Sequence, residues 1–235
     1  ANDGISLAQT AEGALQERPS ARAHDPFLHP LDLDEIDTLK DLSSPRDKIT
    51  DLLRQEIIIR VKKGLYVFAP KYRTHPYSKE LLANLIHGPS YLSLDYALAY
   101  YGVIPERVKA VTSVTPNRSR RFNTPVGLFI YRQIPPAAYE TGQVRIEADH
   151  EQAFLIATPE KALADKIVSL RGLAITSAAE MQRFLEEDLR IELDFLKTLP
   201  AARIDDFARR YHSRKLRYLS QLVRQLQKAR EINHE

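Results

Sequence analysis

The sequence predicts an α+β protein: a helical N-terminal unit closed by a β-hairpin, then a mixed α/β domain with a small, mainly antiparallel sheet, then a helical C-terminus. Three observations predict this. Apolar residues recur at helical spacing on both sides of Ser44-Pro45 and then give way to two short strand-like runs. Further strand-like runs are gathered between Lys109 and Ala157, separated by turn residues. From Pro200 onward there is little Pro or Gly to interrupt a helical pattern. With 235 residues, 43% of them hydrophobic, the chain can build two modest domains.

The elements follow in order. Residues 1–30 are acidic, rich in small residues and closed by Pro26 and Pro30, and are expected to form an arm, with one short helix around Leu7–Leu15. Leu33, Ile36, Leu39 and Leu42 give one apolar helix stripe. Ser44-Pro45-Arg46-Asp47 reads as the start of a second helix. Ser44 can cap, Pro45 suits the first helical position, and Asp47 closes the box. Ile49, Leu52 and Leu53 form its inner face. Ile57–Val61 and Leu65–Phe68 are strands joined by the turn Lys62-Lys63-Gly64. Helix, turn, helix and a basic-tipped hairpin is the order of a winged helix-turn-helix over residues 31–73.

An α/β domain is expected over residues 74–200. Ser78 starts a helix carrying Leu81, Leu82, Leu85 and Ile86 inward and stopped by His87-Gly88-Pro89. Ser93 starts another, with Leu94, Ala97, Leu98 and Tyr101 inward. The strands are Lys109–Val114, Val126–Ile134, Gln143–Glu147 and Gln152–Ala157. Thr158-Pro159 begins a helix through Leu170, with Leu163 and Ile167 packed on the sheet and Glu160 and Lys161 at the surface. Ser177–Glu180 is a capping box. Residues 201–235 are basic C-terminal helices. Their apolar stripe is Phe207, Tyr211, Leu216, Leu219, Leu222 and Leu226, with Arg209, Arg210, Arg214, Lys215, Arg217 and Arg224 around it. Tyr91, Tyr96, Tyr100 and Tyr101 are read as core residues. Arg118, Arg120 and Arg121 are read as lying in a solvated Pro116-Asn117 loop, with contact to nucleic acid as the alternative.

Charge is unevenly distributed. The net charge is +3, but residues 1–42 hold nine acids against three bases and residues 43–73 hold eight bases against three acids. Residues 203–235 hold nine bases against four acids. Such local positive blocks suit a phosphate-binding surface. The chain lacks Cys, which excludes disulfides and thiolate metal sites. It has no apolar run long enough to span a membrane and no basic-then-apolar leader pattern, so a cytoplasmic protein without membrane association is expected.

Catalytic signatures are missing. There is no Gly-x-Gly-x-x-Gly, no Walker-type loop and no Gly-x-Ser-x-Gly elbow. No Gly-Ser dipeptide accompanies the paired acids Asp32/Asp34 and Glu147/Asp149. His24 and His29 do not form a zinc motif, His87 reads as a helix end, and Asp149-His150-Glu151 reads as a polar turn. The expectation is a protein that is not an enzyme and carries no cofactor and no metal.

In a winged helix the second helix enters the major groove and the wing meets the backbone or minor groove. The outward residues of that helix are expected to be Asp47, Lys48, Thr50, Asp51 and Arg54, with Arg46 at its edge. Arg54 or Lys48 can reach guanine, and Thr50 a phosphate or a thymine methyl. Arg60, Lys62 and Lys63, exposed at the hairpin tip, suit phosphates. The DNA-binding set is thus Arg46, Lys48, Thr50, Arg54, Arg60, Lys62 and Lys63. A protein-binding winged helix, or an enzyme acting on nucleotides or RNA, remains the alternative.

Several stretches resemble the AbiEi-like family of bacterial regulators. They are Pro45–Leu53 leading into Ile58–Val67, Gly88–Leu98 followed by Tyr101–Glu106, Val111–Thr115, Phe122–Gly127 and Ile156–Lys166. They occur in the family's order over roughly Ser43 to Arg190. The resemblance implies an N-terminal winged helix joined to an α/β domain. It implies a repressor that binds double-stranded DNA at its own promoter, at inverted repeats. It also implies the antitoxin role in a type IV toxin–antitoxin phage-defence pair. The toxin would be a nucleotidyltransferase-like protein of the AbiEii type, neutralised without a stable complex being required. The helix Leu33–Leu42 is shorter than the family's usual lead-in, and the acidic arm has no counterpart there.

Overall fold

The computed structural model describes residues 27–28, 45–73, 76–147, 153–172 and 174–232. The helices expected around Leu7–Leu15 and Leu33–Leu42, the Ser44 cap and the Asp149-His150-Glu151 turn lie outside the described residues.

Helix α1 (Pro45–Arg54) is the expected second helix, with Asp47 in its first turn and Arg54 in its last, both favourable to the helix dipole. It ends before Glu56, whose backbone is left-handed at φ 55°. Strands β2 (Ile58–Lys62) and β3 (Leu65–Phe68) pair antiparallel. Gly64 turns the hairpin at φ 81°, a conformation that favours glycine. Strand β1 (Phe27–Leu28) pairs with the other edge of β3, so the sheet order is β1-β3-β2. Two residues of the segment expected to form an arm are therefore strand.

The hairpin is buried on both faces because successive side chains alternate. Tyr66 and Phe68 pack with Leu52, Ile57 and Ile58 in a small core under α1. Val61, Leu65 and Val67 face the other way and join the main core. A buried apolar side chain of this size contributes about 1.5–3 kcal/mol, so these three fasten the hairpin firmly to the rest of the chain.

The main sheet has the order β6-β7-β5-β4-β9-β8. Its strands are β4 (Tyr91–Leu92), β5 (Val111–Thr115), β6 (Arg120–Thr124), β7 (Gly127–Gln133), β8 (Gln143–Glu147) and β9 (Ala153–Ala157). Pairs β4–β5, β6–β7 and β8–β9 are antiparallel, whereas β5–β7 and β4–β9 are parallel, so the sheet is mixed. Helix α2 (Lys79–Ile86), capped by Ser78 Oγ accepting from the Leu81 N–H, covers one face. There the Tyr131 hydroxyl donates to the Ala83 carbonyl at 2.6 Å and Asn84 Oδ1 accepts from the Leu155 N–H at 2.7 Å. Ser113 is paired with Tyr131, so its neighbour Thr112 points to the opposite face. Helix α3 (Leu94–Tyr100) sits there, its Tyr96 N–H donating to Thr112 Oγ1 at 3.1 Å.

A single turn, α4 (Pro136–Tyr139), and α5 (Pro159–Ser169) lead to the C-terminal helices. These are α6 (Ala178–Arg183) with a π-helical turn Phe184–Asp188, α7 (Leu193–Thr198), α8 (Ala201–Arg210) and α9 (Arg214–Ile232). Helix α9 packs along α5, α6, α7 and α8. Phe207, Tyr211, Leu216, Leu219 and Leu222 of the expected stripe are buried, and Leu226 is half-buried. No described helix is long and apolar enough to cross a membrane.

Besides β1, the structure departs from the sequence-based expectation in two strands, in α2 and at Tyr100, which is read as core but is 46% exposed. Strand β6 occupies the segment read as a solvated arginine loop. Strand β4 was not expected. The inward face of α2 is Leu82, Ala83 and Ile86, and Leu85 is 45% exposed.

Candidate nucleic-acid interface

Arg46, Thr50 and Arg54 are each four residues apart in α1, so they share a stripe, and all three are exposed. The Thr50 hydroxyl donates to the Arg46 carbonyl at 2.8 Å, which fixes its rotamer and leaves its oxygen able to accept. Arg54 is paired with Asp51 at 2.9 Å, but its side chain is 73% exposed. Such a pair adds little stability, though it orients the guanidinium at the end of the helix. Arg60 and Lys63 on the hairpin are exposed and make no ion pair or side-chain hydrogen bond among the described residues.

Two of the seven expected residues are placed differently. Lys48 is only 5% exposed. It stands four positions before Leu52 and so falls on the inner face of α1, not with Thr50 and Arg54. Lys62 is half-buried: its ammonium donates to the main-chain carbonyls of Leu85, at 3.3 Å, and Ile86. These are terminal carbonyls of α2, which lack helical partners and carry the negative end of the helix dipole. Burial lowers the Lys62 pKa below its usual value. Lys62 therefore clips the hairpin to α2, and Lys63 is the lysine presented at the tip.

A second set of polar residues is enclosed. Glu160 and Lys161, expected at the surface, are 5% and 0% exposed. Helix α5 is surrounded by β9, α3, α8 and α9, so even its first turn is covered. The Lys161 ammonium pairs with Asp165 Oδ1 and lies 3.1 Å from the Tyr211 hydroxyl oxygen. The Tyr211 hydroxyl donates to Asp165 Oδ1 at 2.5 Å, and the Ser93 hydroxyl donates to Asp165 Oδ2 at 2.6 Å. Rings of Tyr211, Tyr91 and Phe207 surround the ammonium at 4.9, 5.6 and 5.7 Å from their centroids. Burial pulls the Lys161 pKa down while Asp165 pulls it up. Burial and Asp165 both push the Tyr211 hydroxyl up, which keeps it a donor.

This cluster also sets local backbone geometry. Leu94 has φ 60°, unfavourable for a side chain of its size. Ser93 beside it is held by its N–H donating to the Thr112 carbonyl at 3.0 Å, by Thr112 Oγ1 donating to its own carbonyl at 2.7 Å, and by Asp165. Gly142, at φ 85°, lets the Lys161 stem approach: a Cβ there would lie 2.7 Å from Lys161 Cγ. Lys161, Asp165 and Ser93 are enclosed. The work of the cluster is to join α3, α5 and α8. The sequence signal for it was weak: Lys161 and Asp165 at i,i+4 around Ala162-Leu163-Ala164.

His87 caps the C-terminus of α2, as expected, with its ring 5.0 Å from Tyr131 and 6.0 Å from Phe122. Among the described residues there is no cluster of three His, Asp or Glu side chains able to hold a metal ion.

No protein-family model matches the chain. No curated protein matches it either. Among solved structures, the crystal structure of RV2827C protein from Mycobacterium tuberculosis is similar over 92% of this chain and 80% of that one. The identity is 14% and the TM-score 0.46, a distant likeness that says nothing of activity or partners.

Proposed function

We propose that this chain is a DNA-binding transcriptional regulator that represses its own operon in the cytoplasm and serves as the antitoxin of a type IV toxin–antitoxin pair. The observation that carries DNA binding is the juxtaposition on the first sheet. Helix α1 presents Arg46, Thr50 and Arg54 on one exposed stripe, and a hairpin tipped by Lys63 follows it directly. This order suits a winged helix in which the helix would read bases and the wing phosphates. The antitoxin role rests on the ordered AbiEi-like stretches between Ser43 and Arg190. The partner in that role is a nucleotidyltransferase-like AbiEii-type toxin. The chain itself performs no catalytic step and needs no cofactor.

Titration of the protein against its own promoter fragment and a scrambled duplex, at two salt concentrations, tests the reading. Tighter binding to the promoter, weakening steeply with salt, is expected. A second reading, a winged helix that binds protein, is favoured by Asp47 on the same exposed side of α1. Equal and negligible affinity for both duplexes would select it.

A further inference from the structure

Between Glu106 and Glu140 the chain has no acidic residue and six bases: Arg107, Lys109, Arg118, Arg120, Arg121 and Arg132. The fold gathers four of them at one edge of the main sheet. Arg118, Arg120 and Arg121 are exposed at the start of β6, the end strand, and Arg132 is exposed on neighbouring β7. Arg121 is paired with Ile130, which makes Arg132 its diagonal neighbour on the same face. Arg120, paired with Tyr131, faces the α2 side. None of the four side chains makes an ion pair or hydrogen bond among the described residues.

Like charges on adjacent strands repel, and no acid among the described residues pairs with them. Nor do they swing on a free loop. The segment before β6 is braced by Gln133 Nε2 donating to the Pro116 carbonyl at 3.2 Å and by the Gln133 N–H donating to Ser119 Oγ at 2.9 Å. Thr115 Oγ1 donates to the Pro89 carbonyl at 2.7 Å and accepts from the Asn117 N–H at 3.2 Å.

The edge is also continuous with the hairpin tip. Lys62 is clipped to the end of α2, and His87 at that end has its ring 6.0 Å from Phe122 of β6, near the charges of Arg120 and Lys62. Burial and these two charges hold His87 below the usual imidazole pKa, against the opposing effect of the Arg118 main chain. The end of α2 therefore touches both the hairpin, at Lys62, and the β6 edge, at Phe122 and through Asn117 Nδ2 donating to the Gly88 carbonyl at 3.4 Å, and Lys63 follows Lys62 in the hairpin turn.

We propose that Arg118, Arg120 and Arg121, flanked by Lys63 and Arg132, form a contact surface for the phosphodiester backbone of double-stranded DNA. The proposal rests on the DNA-binding reading above and extends the contact from the first sheet onto the second. Arginine is suited to it: its planar fork matches phosphate oxygens two at a time. The competing role for arginines on an end strand is to prevent edge-to-edge pairing.

The test compares the full-length triple variant R118Q/R120Q/R121Q with K63A and with the unaltered protein. Each is titrated with promoter and random-sequence duplexes across a salt series, and its sedimentation is measured. Loss of three phosphate contacts should flatten the log–log salt dependence by about 2–3, at roughly 0.9 per contact, and weaken both duplexes by the same factor. The lysine triple R118K/R120K/R121K, which keeps the charges, should retain the original slope. An unchanged slope in the glutamine triple while K63A flattens it overturns the edge surface and leaves DNA binding standing. An unchanged slope with new self-association assigns the arginines to edge protection and likewise overturns the proposal. Failure of the unaltered protein to bind any duplex overturns both readings.

Discussion

The C-terminal helices and the β6–β7 edge are both rich in arginine, yet they differ in how many of those charges are paired: Arg214 and Arg217 are exposed without an ion pair among the described residues, but most of their neighbours have one. In the C-terminal helices Arg203 pairs with Glu160 at 2.6 Å, Arg209 and Arg210 share Asp206 at 3.1 and 2.6 Å, and Arg224 pairs with Asp205. Lys215 donates to the Leu170 carbonyl at 2.7 Å. At the β6–β7 edge no such partner exists among the described residues. The C-terminal block has more bases, nine against the six between Glu106 and Glu140, yet more of its charge is paired within the fold. What a nucleic acid meets is the charge left unneutralised in three dimensions.

The enclosed Lys161–Asp165 pair is the extreme of the paired kind and should give the largest effect. Asp165→Ala leaves a buried ammonium without its carboxylate and should cost about 3–5 kcal/mol, read as a lower urea midpoint. A loss under about 1 kcal/mol would show that the site relaxes or hydrates. Gly142→Ala should follow, at about 1–3 kcal/mol, since both the left-handed backbone and the Lys161 stem resist a Cβ.

On the unpaired side, Arg54→Ala should weaken binding to the cognate promoter by about 1–3 kcal/mol and leave random duplexes little changed. Equal losses on both would move Arg54 from base reading to phosphate contact. The two hairpin lysines should separate. Lys63→Ala should flatten the salt dependence by about 0.9, whereas Lys62→Ala should mainly lower stability, by about 1 kcal/mol. The smallest effect is expected at Arg209→Ala: under about 0.5 kcal/mol in stability and no change in salt slope. A flattened slope there would break the contrast between paired and unpaired arginines.

Much of this was legible in the sequence, and the exceptions have physical causes. Strands β8 and β9 and helices α1 and α5 are legible because turn residues and the prolines that open the helices bound them, although Thr158 makes no side-chain cap. Strand β4 is two residues long, too short for alternation to register. Strand β6 reads Arg-Arg-Phe-Asn-Thr, polar like a loop, because an end strand tolerates charge that a central strand does not. Of the site residues, Arg46, Thr50, Arg54, Arg60 and Lys63 are exposed as the sequence predicts. Lys48 lies inward because its spacing from Leu52 puts it on the inner face despite its charge. Lys161 was misplaced because a charged first turn is ordinarily at the surface, and only the arrival of α8 and α9 covers it.

The doubly buried hairpin has a thermodynamic corollary. Val61, Leu65 and Val67 belong to the same core as the main sheet, while the hairpin tip presents Lys63. A ligand gripping that tip binds only the folded state of a shared core, so mass action spreads its effect through the chain. At a hundredfold excess over Kd it would raise the unfolding free energy of the whole by about 2.7 kcal/mol. Linkage then requires that a cavity elsewhere in that shared core, for instance Leu82→Ala in α2, weaken the binding of such a ligand to the extent that it loosens the hairpin.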